Sequence, residues 1–244
     1  MGQFSVISNR FTDQREPFNG FPPKYERADE LLKGLKLMDL GKRNYQDVWD
    51  LQKELQSKRI KGEIEDTLLL VEHEPVYTLG KNANKDHLLQ NYPKNVNVFH
   101  IERGGDITFH GPGQLVGYPI VDLHNFKLSI SWYMRSLEKI IIKTLFHFGI
   151  KGKQKDGLTG VWCKDEKIAA FGVRVSRWVT MHGFSLNVKT DLSYYDSIIP
   201  CGIFEHGVTT MQKLLGNEVE MENVKRRLIH EFSMIFKQEN LEVV

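Results

Sequence analysis

The stretch that most constrains this chain is Arg103 to Ile120, RGGDITFHGPGQLVGYPI, which holds five glycines at 104, 105, 111, 113 and 117. Glycine loses more freedom on folding than any other residue, so such a run needs a cause: positive φ or a close approach of backbone to something else. A tight turn between two strands would use one or two of them. A charged residue in front, a histidine inside and an apolar segment behind point to a loop that cradles a substrate.

The composition places few demands on the reading. The chain has 244 residues with 41% hydrophobic and 26% charged, an ordinary soluble globular balance with ample core. Its 33 basic and 31 acidic residues leave a formal charge of +2, which gives no electrostatic reason to expect nucleic acid or an anionic membrane as partner. No apolar run reaches membrane-spanning length. The start, MGQFSVISNR, lacks a basic-then-apolar secretory pattern, and the acidic residues from Asp13 to Glu30 argue against a transit peptide. Two cysteines, Cys163 and Cys201, make no disulfide framework, so a cytoplasmic setting is expected.

Residues 1–34 are polar and aperiodic and read as an N-terminal extension, lying over the surface or disordered; 35–244 read as one catalytic domain. Leu35 to Leu40 suggests a strand closed by Gly41. Tyr45, Val48, Trp49, Gln52 and Leu55 recur at helical spacing, predicting a helix over about 44–58. Strands are expected at 67–71, 76–80, 96–102 and 115–123. Ser129 caps a long helix that Gly149 ends, and a lysine-rich loop follows at 151–155. Residues 159–164 and 167–176 read as a hairpin, 180–188 as a strand, 191–201 as a loop and 221–236 as a last amphipathic helix. Helices and strands interleave without a strand-helix-strand rhythm. That favours an α+β fold with a mixed, largely antiparallel sheet and flanking helices.

Three residue types carry candidate chemistry. Cys201 sits in IIPCGI, where proline fixes the approach and glycine leaves the thiol accessible; a nucleophile or a half-buried loop cysteine both fit. Cys163, beside Trp162 in a strand-like segment, reads as a buried small hydrophobe. Lys167 opens the apolar run KIAAFGVRV. It is a solvated hairpin end or, if it faces a pocket, a group that trades protons. His110 and His182 each precede glycine and read as orienting residues, since no HExxH, CxxC or converging ligand set calls for a metal. Walker-type and hydrolase-elbow motifs are absent from the sequence.

Together RGGDITFHGPGQLVGYP, GVWCKDEKIAAFGVRVSRWVTMHGFSLNV, IIPCGI and GVTTMQKLLG resemble the lipoyl(octanoyl) transferase family, and the likeness covers about 35–237. The resemblance implies a fold shared with biotin and lipoate protein ligases. It implies transfer of an octanoyl or lipoyl group, without a cofactor, from octanoyl-acyl carrier protein to a lysine of lipoyl domains in 2-oxoacid dehydrogenase complexes and the glycine cleavage H protein. By that likeness Cys201 is the acyl-accepting nucleophile and Lys167 the residue that lowers its pKa. Substrate contacts fall on Arg103, Gly104, Gly105, Asp106, Ile107, Thr108, Phe109 and His110, on Ala170, Phe171 and Gly172, and on Gly183, Phe184 and Ser185. The family often has Ser-Leu-Gly at 170–172 and alanine at 185, departures that bear on acyl-chain preference. Arg174, Arg177 and the lysines at 151–155 would face an acidic carrier protein or only solvent. An ATP-dependent ligase on the same fold, or a non-catalytic acyl-protein binding module, are the alternatives. The ligase would activate the acid as an adenylate and need no cysteine.

Overall fold

The computed structural model describes residues 34–199 and 207–236. Among these residues ten strands make two sheets. The larger takes β1 (Leu35–Arg43), β2 (Asp66–His73), β6 (Gln114–Ile120), β10 (Val179–Asn187), β9 (Glu166–Ser176), β8 (Leu158–Cys163) and β7 (Lys153–Lys155), in that spatial order. The smaller is β4 (Asn97–His100), β3 (Val76–Leu79) and β5 (Ile107–His110), with β3 in the middle. β1 with β2 and β3 with β4 are parallel and the remaining strand pairs antiparallel, so the sheet is mixed and largely antiparallel as the sequence suggested.

The strand β2 shows how the layers are assigned. Side chains alternate across a strand. Leu68 and Leu70 therefore join the core under the long helices α2 (Ile130–His147) and α4 (Met221–Phe236), while Leu69 and Val71 join Val48 of α1 (Tyr45–Ile60) on the opposite face. Each of these leucines is fully buried, worth about 1.5–3 kcal/mol apiece. Helix α1 starts where Asn44 accepts the Asp47 N–H. Its buried stripe includes two glutamines, which grip strand β10: the Gln56 amide donates to the Val179 carbonyl at 2.9 Å, and Gln52 Oε1 accepts the His182 N–H at 3.0 Å. Ser129 caps α2 through the Trp132 N–H, and Gly149 follows its end at φ 78°.

Several boundaries differ from the sequence reading. The first strand does not stop at Gly41. The register slips between Asp39 and Lys42, Gly41 takes φ 61°, and pairing resumes to Arg43, as a glycine-bearing bulge allows. Part of the lysine-rich segment is the edge strand β7 rather than a loop; lysines suit an edge because they discourage further pairing. The strand predicted to reach residue 123 ends at Ile120, where Asp122 caps a 3₁₀ turn at Leu123–Asn125. A second 3₁₀ turn, Leu192–Ser197, lies in the expected loop, and α3 (Met211–Leu215), capped by Thr210 and ended by Gly216 at φ 70°, was not foreseen. The glycine stretch is two objects: an irregular segment at 103–106, then the β5–β6 corner that carries the chain from one sheet to the other.

A seam of rings joins the two sheets. His73 Nδ1–H donates to the Arg43 carbonyl at 3.1 Å, and its Nε2 accepts from the Tyr118 hydroxyl at 2.8 Å. Tyr45 stacks on His110 with ring centroids 6.1 Å apart. Burial is the largest cause that pushes the imidazoles down, His73 to about 4 and both His110 and His182 to about 3. An unfolded histidine titrates near 6.5, so below that pH the unfolded chain takes up protons that the native state refuses. Stability is then full above about pH 6.5 and falls as pH drops toward the native values. For three such groups the loss between pH 7.5 and 5.5 is about 4 kcal/mol, or roughly 10 °C in Tm, measurable by thermal melts at the two pH values. A melt that does not change over this range would contradict these burials.

Close packing of β6 and β10 yields a second expected outcome. A Cβ added at Gly183 would lie 2.2 Å from the Gly117 carbonyl oxygen, so Gly183→Ala must pry the two strands apart. It should lower stability by about 3 kcal/mol, seen as a fall of roughly 5–10 °C in the circular-dichroism melt. At Gly62, φ is 73° but nothing lies within 4 Å of the added atom, so Gly62→Ala should cost only about 1–2 kcal/mol.

Candidate active site

The segment at 103–106 is fastened on two sides. Arg103 reaches under β3, donating from Nη2 to the Thr78 carbonyl at 2.7 Å and to Thr78 Oγ1 at 2.9 Å. Its backbone carbonyl accepts from Lys81 N–H, and Gly80 N–H donates to the Asp106 carbonyl. On the other side Gly104 N–H donates to the Val173 carbonyl of β9 at 3.0 Å. The fit leaves no room for side chains: a Cβ at Gly80 would lie 2.4 Å from the Gly105 oxygen, and one at Gly172 would lie 2.9 Å from Arg103 Cδ and from the Gly104 oxygen. Close approach, expected from the glycine density, is therefore between this segment and both sheets.

Between the sheets lies a narrow cavity of about 740 Å³, its open mouth included. It is a slot rather than a chamber. Of the residues expected to contact substrate, Arg103, Gly105, Asp106, Ile107, Thr108 and His110 line one wall; Ala170, Phe171, Gly172, Gly183, Phe184 and Ser185 line another. Strand register explains the second group: Gly172 pairs with Gly183, Phe171 with Phe184 and Ala170 with Ser185. Gly104 and Phe109 serve elsewhere. Gly104 makes the bond to Val173, and the Phe109 ring is buried against Tyr194 at 4.4 Å and Tyr77 at 5.5 Å, in the small sheet's own core.

Lys167 also lines this slot and is buried. Its backbone is held by the segment at 207–209: Lys167 N–H donates to the Gly207 carbonyl at 2.9 Å, and Thr209 N–H donates to the Lys167 carbonyl at 3.0 Å. Lys167 Nζ lies 4.8 Å from the Trp162 ring centroid, and Gly160 leaves space for its stem, since a Cβ there would meet Lys167 Cε at 3.1 Å. Of the two readings of this lysine, solvated hairpin end or pocket wall, the structure gives the second. Cys201 lies outside the described residues. Cys163 is buried, and burial pushes its thiol up to about 11, which leaves it unreactive near neutral pH, as expected for a packed residue.

The slot is also lined by residues that the sequence did not single out for the site, among them Tyr45, Tyr118, Asn187 and Tyr195. Gln114 organises one group of them. Its amide nitrogen donates to the Phe109 carbonyl at 3.2 Å and to Asn187 Oδ1 at 2.9 Å, which leaves Gln114 Oε1 to accept His110 Nδ1–H at 2.7 Å. The opposite nitrogen of His110 then carries a bare lone pair. The only available signal was Gln114 standing four residues after His110 inside the glycine stretch. Asp106 is committed to its own turn and to His87: Oδ1 accepts the Ile107 N–H, and Oδ2 bonds His87 Nδ1. Among the described residues no group of three or more His, Cys, Asp and Glu could hold a metal ion. Nor is any described helix long and apolar enough to cross a membrane. Of the charges proposed to face a carrier protein, Arg174 pairs with Glu102 at 3.1 Å and Lys155 with Asp165 at 2.8 Å.

This geometry agrees with what the chain is similar to. Residues 44–233 match the lipoyl protein ligase A/B catalytic domain. An octanoyltransferase of Christiangramia forsetii is 45% identical over 228 residues, covering 85% of this chain and 97% of that one. An octanoyltransferase of Flavobacterium johnsoniae is 46% identical, covering 85% and 98%. In fold, the chain is similar to P. falciparum LipL1 in complex with lipoate, with a TM-score of 0.66 at 19% identity over 86% of this chain and 65% of that one. It is also similar to a bipartite lipoate protein ligase from Thermoplasma acidophilum, with a TM-score of 0.61 at 15% identity, covering 82% of each chain. The family model spans most of the chain and the octanoyltransferases are 45% and 46% identical over 85% of it, so the protein belongs to the lipoyl protein ligase A/B catalytic domain family.

Proposed function

We propose that this protein is an acyltransferase of protein lipoylation, which moves an octanoyl group from an acyl carrier to a lysine of a lipoyl domain through a thioester on Cys201. Residues 35–244 form its catalytic domain and residues 1–34 an extension to it. The observation that carries the reading is Lys167. It is a buried lysine on the wall of a narrow cavity whose sides include Ile107, Val116, Ile168, Phe171 and Phe184, and its backbone is bonded to the chain six residues after Cys201. The relatives named octanoyltransferases support it.

The chemistry follows from the groups involved. The donor is a thioester. Lys167 accepts the Cys201 thiol proton as the sulfur attacks the acyl carbon. A carbon–sulfur bond to Cys201 forms, the bond to the carrier sulfur breaks, and the proton passes from Lys167 to the departing thiol. In the second half the target amine attacks the same carbon and the amide bond forms. Lys167 takes the amine's proton and returns it to the Cys201 sulfur as that bond breaks. One thioester exchanges for another at little cost, and the final amide draws the sequence forward. The slot holds the alkyl chain against Phe171 and Phe184, while His110, neutral at working pH because burial holds it near 3, orients the polar end with its free lone pair. No step uses ATP.

Mass spectrometry after mixing with octanoyl carrier protein should show one octanoyl adduct, absent in Cys201→Ser. Lys167→Ala should slow its appearance by roughly 10²–10⁴ with an unchanged melting curve. A wild type that stays unmodified, and that transfers free octanoate only when ATP and magnesium are supplied, would instead identify a ligase.

A further inference from the structure

His182 is a residue the transfer chemistry does not use. It lies in β10 with φ 61°, a backbone state that costs a non-glycine residue energy, and it is only 1% exposed. Neither ring nitrogen has a hydrogen-bond partner among the described residues, and the same is true of Nε2 of Gln52, whose Oε1 holds the His182 N–H. His182 lines the slot at one corner, and Gln52 adjoins it from behind through the bond to its backbone N–H. Unpaired buried polar groups cost about 1–3 kcal/mol each, so two of them on a cavity wall ask for a ligand group that pairs with them.

The corner's position in the slot indicates which part of a substrate it meets. His182 pairs with Val173, next to the place where Arg103 and Gly104 cross β9 and close that end. The Lys167 stem leans toward Gly160 and Ala169, and from Ala169 to Val173 the strand advances about 13 Å. An extended eight-carbon chain measures roughly 9 Å end to end, because each ~1.5 Å bond of the zigzag advances only about 1.3 Å, so a chain whose carbonyl lies near the Lys167 amine ends at the edge of this corner. Burial, with Arg103 and Arg174 nearby, pushes the imidazole down to about 3, so it is neutral there, with one donor and one acceptor.

We infer that His182, positioned by Gln52, is the specificity-determining residue at the distal end of the acyl cavity, selecting a chain that stops there or ends in a hydrogen-bonding group over a longer alkyl chain. This rests on the acyl-transfer reading above. The end is set by polarity rather than bulk. An added methylene must cover unpaired nitrogens and gives nothing back, whereas a terminal hydroxyl satisfies them.

The test compares two donors of equal length, 8-hydroxyoctanoyl and nonanoyl thioesters of the carrier, with octanoyl as reference. In wild type, kcat/KM for the hydroxylated chain should equal or exceed that for nonanoyl. In Gln52→Leu and in His182→Gly, which keeps the backbone state allowed, the ratio should fall at least tenfold. A wild-type preference for nonanoyl of tenfold or more overturns the inference, and so does an unchanged ratio in either folded variant. Octanoyl transfer by wild type in those outcomes leaves the proposed function standing. No octanoyl transfer at all would instead remove the reading on which the inference rests.

Discussion

The structure depends on the fastening of the segment at 103–106 between two sheets. Arg103 is buried with its guanidinium on the Thr78 carbonyl and hydroxyl, and Gly104 is bonded to Val173 of the other sheet. Burying a guanidinium is unfavourable unless its protons are taken up, and the bonds that take them up also fix the spacing of the two sheets. The slot is what that spacing leaves. The ring seam of Tyr45, His73, His110 and Tyr118 and the hydrogen bonds of Gln114 to Phe109 and His110 are further ties between the sheets.

That seam explains how a polar interior is kept specific. His73 and His110 are buried and neutral, and each has its protonated nitrogen assigned by a partner, the Arg43 carbonyl for one and Gln114 Oε1 for the other. A neutral imidazole with a fixed tautomer is a directional acceptor in a site of low polarity. The same burial makes the fold sensitive to acid, so the device that orients the site also limits the pH range over which the site exists.

Much of the fold was legible because it follows from short-range pattern. The apolar run of Leu68 to Val71, the cap at Ser129 and the stripe of α4 each show themselves within a dozen or so residues. The elements misread are those whose boundaries depend on partners far away. β7 is a strand only because β8 lies beside it, β1 continues past Gly41 only because β2 supplies bonds, and β6 ends where Thr180 takes the Val121 N–H. The candidate site divides in the same way. A glycine-dense segment, an isolated Lys167 and a Pro-Cys-Gly were visible as anomalies in the sequence, while Gln114, Asn187 and Tyr45 had nothing local to mark them.

By itself, then, the sequence determined the α+β class, most of the elements and which residues carry unusual chemistry. Those properties are written in periodicity, capping residues and the placement of glycine, all of which act within a few positions of the chain. Only the tertiary structure decided that residues 103–106 are a clamp between sheets, that Lys167 faces a slot instead of solvent, and that His182 lines that slot at φ 61° with neither ring nitrogen paired among the described residues. Each of those depends on registers such as Gly172 with Gly183 and on contacts between residues dozens of positions apart. No local pattern encodes them, because the energy that selects them comes from burying many such contacts at once.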